Sequence, residues 1–302
     1  MQGKKKKYSG IIPPLATPLL DQNTLDTSGT SRLLRHVLDG GVHGLFILGT
    51  TGEAPSLSYR LRHQLLEQVI SEVAGQVPVL LGVTDSSLEE AQQFAQAAQK
   101  SGADALVLAS PFYYPAGQET LVSYVYQLLQ AVEIPLFLYN IPSHSPPVFS
   151  QESIKRLLDH PQIAGYKDST GSMIAFHQMK QIFEVHPEKA YLLGPEELLA
   201  ESVLLGGDGG VNGGANLFPA LYVKLYEAAT TGEVEHLKAL HKKVMQVSQH
   251  LYQGGKTVIQ GIKYGLAFQG ICQDRVALPL AALSEPEKER MRQFLENFEN
   301  HF

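Results

Sequence analysis

Short apolar runs alternate along the chain with longer stretches in which apolar positions recur every three or four residues. The runs are Ile11–Ala16, Gly44–Leu48, Val77–Leu81, Ala105–Ala109, Leu136–Tyr139, Ile163–Tyr166, Tyr191–Leu193 and Gly209–Val211. Several are apolar throughout, which indicates strands covered on both faces, as in a parallel sheet with crossover helices. Between them, Thr27–Gly40, Leu57–Val73, Ser87–Ser101, Ser150–Leu158, Ser172–Phe183 and Glu197–Leu205 read as helices. In Ser87–Ser101, Leu88, Ala91, Phe94, Ala95 and Ala98 share one face, and Gly102 supplies a C-cap signal.

Eight strands alternating with helices predict an α/β fold, a (β/α)8 TIM barrel. An open doubly wound sheet is the alternative. That fold often carries a Gly-x-Gly-x-x-Gly turn after an early strand, and the first glycine turn here, Gly49-Thr50-Thr51-Gly52-Glu53, does not match. The eighth run ends near Val211 and its helix follows at about Phe218–Thr230. The barrel then takes residues 1–230. Residues 231–302, with helical patterns in Val234–Tyr252, Thr257–Gln269 and Glu285–Phe302, form a C-terminal helical extension packed on it.

Composition narrows the function classes. The chain has 302 residues, 44% of them apolar, and a formal charge of −6. A large core is available, and a nucleic-acid or anionic-membrane surface is disfavoured. The only concentrated positive charge, Lys4 to Lys7, reads as a solvated tail. The single cysteine, Cys272, excludes an intramolecular disulfide and reads as a packed small hydrophobe, so a reducing cytoplasm is expected. No secretory h-region and no membrane-spanning apolar stretch is evident. None of the 11 histidines has metal-ligand spacing, so no metal is expected.

In a barrel of this type, chemistry sits where strands end. The second strand ends in Gly49–Glu53, where small residues and hydroxyls can hold an anion or form a plain tight turn. The fourth ends in Phe112-Tyr113-Tyr114-Pro115, a stiff aromatic loop that suits a proton relay, packing or an interface. The fifth ends in Tyr139-Asn140-Ile141-Pro142-Ser143-His144, with Tyr139 placed to point into the mouth. The sixth ends in Tyr166-Lys167-Asp168-Ser169. A lysine closing an apolar strand is costly unless paired, here with Asp168, or used as a neutral amine that attacks a ketone. The last two strands end in Gly194-Pro195-Glu196-Glu197 and the glycine-rich Gly206–Asn216. The acids suit sugar hydroxyls or a helix's first turn. The glycines suit close substrate approach or a phosphate loop, as in a barrel isomerase.

These motifs, in this order, resemble the dihydrodipicolinate synthase / N-acetylneuraminate lyase family of class I aldolases. The resemblance spans Pro14–Pro18, Gly49–Glu53, Pro111–Tyr114, Tyr139–Pro142, Lys167–Ser169 and Gly209–Asn216. It implies that Lys167 forms an imine with the 2-oxo carbon of pyruvate or a related 2-oxo acid. It makes Tyr139 the acid/base, with Thr51 linking Tyr139 to a Tyr113 contributed across a subunit interface. Thr50 and Thr51 would hold the substrate carboxylate, and the Val211 carbonyl would lie near the pyruvyl methyl. Gly194 and Ser169 complete the implied substrate wall. No cofactor is implied, and the expected assembly is a homotetramer, a dimer of dimers.

The other half of the substrate is where the pattern departs. His144 stands where the synthases carry an arginine that grips an aldehyde's carboxylate, and a histidine is no permanent bidentate clamp. Phe112–Pro115 looks more like the sialic-acid lyases and the 2-keto-3-deoxy sugar acid aldolases. Glu196 and Glu197 match the Asp-Glu pair that contacts sugar in the sialic-acid lyases, whose loop serine is matched by Gly213. The expected function is a Schiff-base lyase acting on pyruvate and a 2-keto-3-deoxy sugar acid or related hydroxy-2-oxo acid. Dihydrodipicolinate synthase, N-acetylneuraminate lyase and a deoxy-keto acid dehydratase are alternatives within the family. A 2-oxo-acid-binding regulator is the non-enzymatic one.

Overall fold

A computed structural model describes residues 6–252 and 258–298. In chain order the first half comprises β1 (Gly10–Ile11), β2 (Leu19–Asp21), β3 (Thr24–Leu25), α1 (Thr27–Asp39), β4 (Leu45–Ile47), α2 (Tyr59–Val73), β5 (Val79–Gly82), α3 (Leu88–Ser101), β6 (Ala105–Ala109), α4 (Gln118–Leu129) and β7 (Leu136–Asn140). The second half comprises α5 (Gln151–Leu158), β8 (Ile163–Asp168), α6 (Met173–Phe183), β9 (Ala190–Leu193), α7 (Leu199–Leu204), β10 (Gly209–Gly210), α8 (Pro219–Thr231), α9 (Val234–Leu251), α10 (Val258–Phe268) and α11 (Glu285–Asn297).

Eight strands form one parallel sheet in the order β1-β10-β9-β8-β7-β6-β5-β4. The sheet curls until its ends meet: Pro14 bridges Phe46 in parallel, and Leu15 N–H donates to the Phe46 carbonyl at 2.8 Å. β1 is shorter than the apolar run Ile11–Ala16 because Pro13 and Pro14 have no N–H to continue a ladder. β2 and β3 form a separate antiparallel hairpin.

Strand alternation sorts side chains into two cores. Phe46, Leu80, Val107, Phe137, Tyr139 and Leu192 fill the inside of the curl. Leu45, Ile47, Leu106, Leu108, Leu136 and Leu138 face the helices outside. Both faces are therefore buried, which is why the runs are continuously apolar. Several helices begin at side-chain caps: Asp26 accepts from Gly29 N–H at 2.7 Å for α1, and Ser284 and Glu287 form a capping box for α11. After α8, helix α9 packs on α8, and α10 packs on α9 and α11. No described helix is long and apolar enough to cross a membrane.

The expectation of a solvated tail is corrected at half-buried Lys6, whose Nζ lies 2.8 Å from Asp208; Lys7 stays exposed, with its Nζ 2.9 Å from Asp104. Tyr8, between them and the sheet, is buried edge-on against Phe137. Burying Tyr8 draws its neighbours onto the acids that flank the strand starts. Lys4, Lys5 and Thr257 lie outside the described residues. Cys272 is buried, and desolvation pushes its thiol up to about 11, as suits a packed hydrophobe.

Candidate active site

Lys167 lies within β8, opposite Tyr139 of β7 in the parallel register, and the next rung pairs Asp168 with Asn140. Successive residues of a strand point to opposite faces. Lys167 therefore points into the curl and Asp168 points out, where it accepts from the Tyr191 hydroxyl at 3.0 Å and the Thr170 N–H at 2.8 Å. Among the described residues no carboxylate lies within ion-pair distance of Lys167. Its Nζ instead sits 3.9 Å from the Tyr139 ring centroid and 4.9 Å from that of Phe46. The side chain is 5% exposed. Burial pushes the amine's pKa down from the usual lysine value, with Tyr139 opposing the shift.

A cavity of about 450 Å³ opens over this amine. Thr50, Thr51, Tyr139, Lys167 and Ser169 line it, as do Gly194, Val211, Gly213 and His144. Nine expected residues from five strand ends thus converge on one space. The Ser169 hydroxyl donates to the Tyr139 phenol at 3.5 Å. Lys167 is the only lysine or arginine among the described residues of the lining.

Each wall has a local cause. Leu48, at φ 56, turns the chain out of β4 into Gly49–Glu53, and its carbonyl packs so close to β5 that a Cβ on Gly82 would lie 2.1 Å from it. Asn140 bonds the Phe149 carbonyl and N–H at 2.9 and 3.0 Å, pinning the loop that carries His144. The His144 ring bonds the Ser143 hydroxyl at 2.8 Å, and desolvation lowers its pKa, disfavouring the charged imidazolium. Buried Asn212 donates to the Gly194 carbonyl at 3.0 Å, and buried Asn216 donates to those of Gly213 and Pro14 at 2.9 Å. These bonds hold the Val211–Gly213 strand end against its neighbours.

Two expected residues lie elsewhere. Glu196 is 1% exposed and does not reach the cavity. It accepts from the Gly214 N–H at 2.9 Å and the Tyr222 hydroxyl at 2.5 Å. Burial pushes its carboxyl up to about 7, against the Tyr222 hydrogen bond and with the Glu197 charge. The short helical turn at Glu196–Leu198 sends the two acids in different directions, so Glu197 lines the cavity and Glu196 lies beneath the glycine loop. Tyr113 is 74% exposed, stacked edge-on with Tyr114, and lies outside the cavity of its own chain. The cavity also holds Tyr252, Val258 and Ile259, from the end of α9 and the start of α10. Nothing local in the sequence marks these three, because only the packing of distant helices brings them to the mouth. Among the described residues no group of histidine, cysteine or acidic side chains could hold a metal ion.

Known proteins are similar to this chain over almost its whole length. The model of the dihydrodipicolinate synthetase family matches residues 7–298. A probable 2-dehydro-3-deoxy-D-pentonate aldolase of Escherichia coli is 33% identical over 96% of this chain and 97% of its own. The structure of dihydrodipicolinate synthase from Bacteroides thetaiotaomicron superposes with a TM-score of 0.92 at 44% identity, covering 96% of this chain and 98% of that one. The pyruvate complex of YagE, an E. coli prophage protein of the dihydrodipicolinic acid synthase family, gives a TM-score of 0.92 at 31% identity, covering 96% and 98%. With a buried strand-end lysine beside a tyrosine, and a match over almost its whole length, the chain belongs to the dihydrodipicolinate synthetase family.

Proposed function

We propose that the protein is a Schiff-base lyase that splits a 2-keto-3-deoxy sugar acid, or a related hydroxy-2-oxo acid, into pyruvate and an aldehyde, or joins them in reverse. The observation that carries this reading is the buried Lys167 amine, without a carboxylate partner among the described residues and 3.9 Å from the Tyr139 ring. Desolvation favours the neutral amine, which adds to the C2 carbonyl; loss of water leaves an iminium. Tyr139 takes the proton of the C4 hydroxyl as the C3–C4 bond breaks, and the electron pair moves into the enamine. Protonation at C3 and hydrolysis then release pyruvate and free Lys167. Thr50 and Thr51 hold the carboxylate, Val211 faces the pyruvyl methyl, and Tyr113 of a second subunit completes the relay with Thr51. Ser169, Gly194 and Gly213 complete the wall of the substrate cavity. No cofactor is needed.

The eight-stranded sheet with bridged ends supports a closed (β/α)8 barrel over residues 1–230 with an extension over 231–302. We assign the protein to the cytoplasm as a homotetramer, a dimer of dimers. The sugar-acid class is favoured because the lining offers His144, whose charged form burial disfavours, and the acid Glu197, so a hydroxylated chain suits the mouth better than a second carboxylate. Synthase activity is the second reading, favoured by the Bacteroides synthase at 44% identity. Pyruvate release from a panel of 2-keto-3-deoxy acids, run beside coupled turnover of pyruvate with aspartate semialdehyde, separates them. Turnover of the semialdehyde alone would sink the first reading.

A further inference from the structure

Glu53 ends the turn that carries Thr50 and Thr51. At φ 58 it occupies the left-handed region, which a side chain other than glycine enters only under constraint. Its carboxylate is 2% exposed and forms an ion pair with Lys263 of α10, itself 0% exposed. One Glu53 oxygen accepts the Ala277 N–H at 2.5 Å, and Lys263 Nζ donates to the Arg275 carbonyl at 2.6 Å. The backbone returns the connection to the site: Glu53 N–H donates to the Thr50 carbonyl at 3.0 Å. On the other side, the Thr17 hydroxyl donates to the Gly52 carbonyl at 2.7 Å.

A buried pair of this kind is a poor source of net stability, because desolvating two charges offsets most of their attraction. It is a stringent positional constraint, because moving either partner strands a charge. We propose that the Glu53–Lys263 pair is a positioning device: through it the C-terminal helices set the Thr50–Thr51 turn at the spacing that grips a 2-oxo acid's carboxylate. Glu53 and Lys263 touch no reacting atom and act through the threonines. The inference rests on the reading that Thr50 and Thr51 hold that carboxylate.

The test is borohydride trapping of Lys167 as a function of pyruvate concentration in wild type, Glu53→Gln and Thr51→Val. Glu53→Gln should raise the half-saturating pyruvate concentration about ten-fold or more. At saturating pyruvate it should still trap to the wild-type stoichiometry. A staple that merely held the fold together would lower the melting temperature and leave half-saturation of the folded protein unchanged, and that result overturns the proposal. Should Glu53→Gln not accumulate as folded protein, Glu53→Asp keeps the charge but withdraws it by one methylene, and the same shift in half-saturation decides. A normal Thr51→Val curve overturns the threonine reading and the proposal with it. A shifted Thr51→Val curve beside a normal Glu53→Gln curve overturns the proposal alone.

Discussion

A lysine in water keeps its proton until the pH nears 10.4. Enclosed between the rings of Phe46 and Tyr139, Lys167 gives it up lower. The rate of imine formation should therefore rise with pH through a midpoint below the ordinary lysine range and then level off; a midpoint at or above the free value contradicts the burial argument. Glu196 titrates in the opposite sense. Its folded carboxyl sits near 7, above the unfolded value, so its contribution to stability is complete at low pH and is lost as pH rises toward 7. Glu196→Gln holds the group neutral and should flatten the fall in melting temperature between about pH 5 and pH 8, a difference of a few kcal/mol at most. Both residues show the reach of sequence reading at this scale. Position alone left Lys167 divided between Asp168 and catalysis, and the alternation of β8 removes the ion pair. The acid pair was visible, but its two directions depend on a single helical turn at Glu196–Leu198.

Strands announced themselves because both faces are buried, and each of the eight apolar runs overlaps a strand of the sheet. The hairpin of β2 and β3 left no trace, since strands of three and two residues are too short to show a period. Helix α4 is absent from the sequence reading although Leu121, Val122, Val125, Leu128 and Leu129 keep helical spacing and are buried. Element packing also yields a prediction. A Cβ at Gly165, in mid-β8, would lie 2.2 Å from the Ala190 carbonyl oxygen of β9. Backbone cannot yield as a flexible side chain does, so Gly165→Ala should cost on the order of 1–3 kcal/mol or more in chemical denaturation. It should also displace Lys167 two residues on. An unaltered midpoint would mean the two strands sit further apart.

Over the whole molecule, the site extends beyond one chain in our reading. Tyr113 is among the most exposed aromatics, on the loop after β6, outside the cavity it is proposed to serve. Tyr113→Phe should lower kcat by roughly 10²-fold, the usual scale of a lost proton relay, with little change in melting temperature. Hybrid oligomers of Tyr113→Phe and Lys167→Ala chains should regain activity above either parent, because some sites then combine native residues from both. Absence of recovery would place Tyr113 within its own subunit's site or outside the mechanism. The curled sheet was legible in the alternation of apolar runs, and the nine converging residues in the order of the strand-end motifs together with the family resemblance they carry. The contribution of Tyr252, Val258 and Ile259 was not, because it arises only when the last helices fold back over the mouth.

The proposed imine at Lys167 is what the roles assigned to Tyr139, Thr50 and Thr51 depend on. Incubation with pyruvate and borohydride, followed by peptide mass spectrometry, tests it directly. The account predicts a reduced pyruvyl adduct on Lys167, lost in Lys167→Ala. An adduct on another lysine, or none at saturating pyruvate, contradicts it.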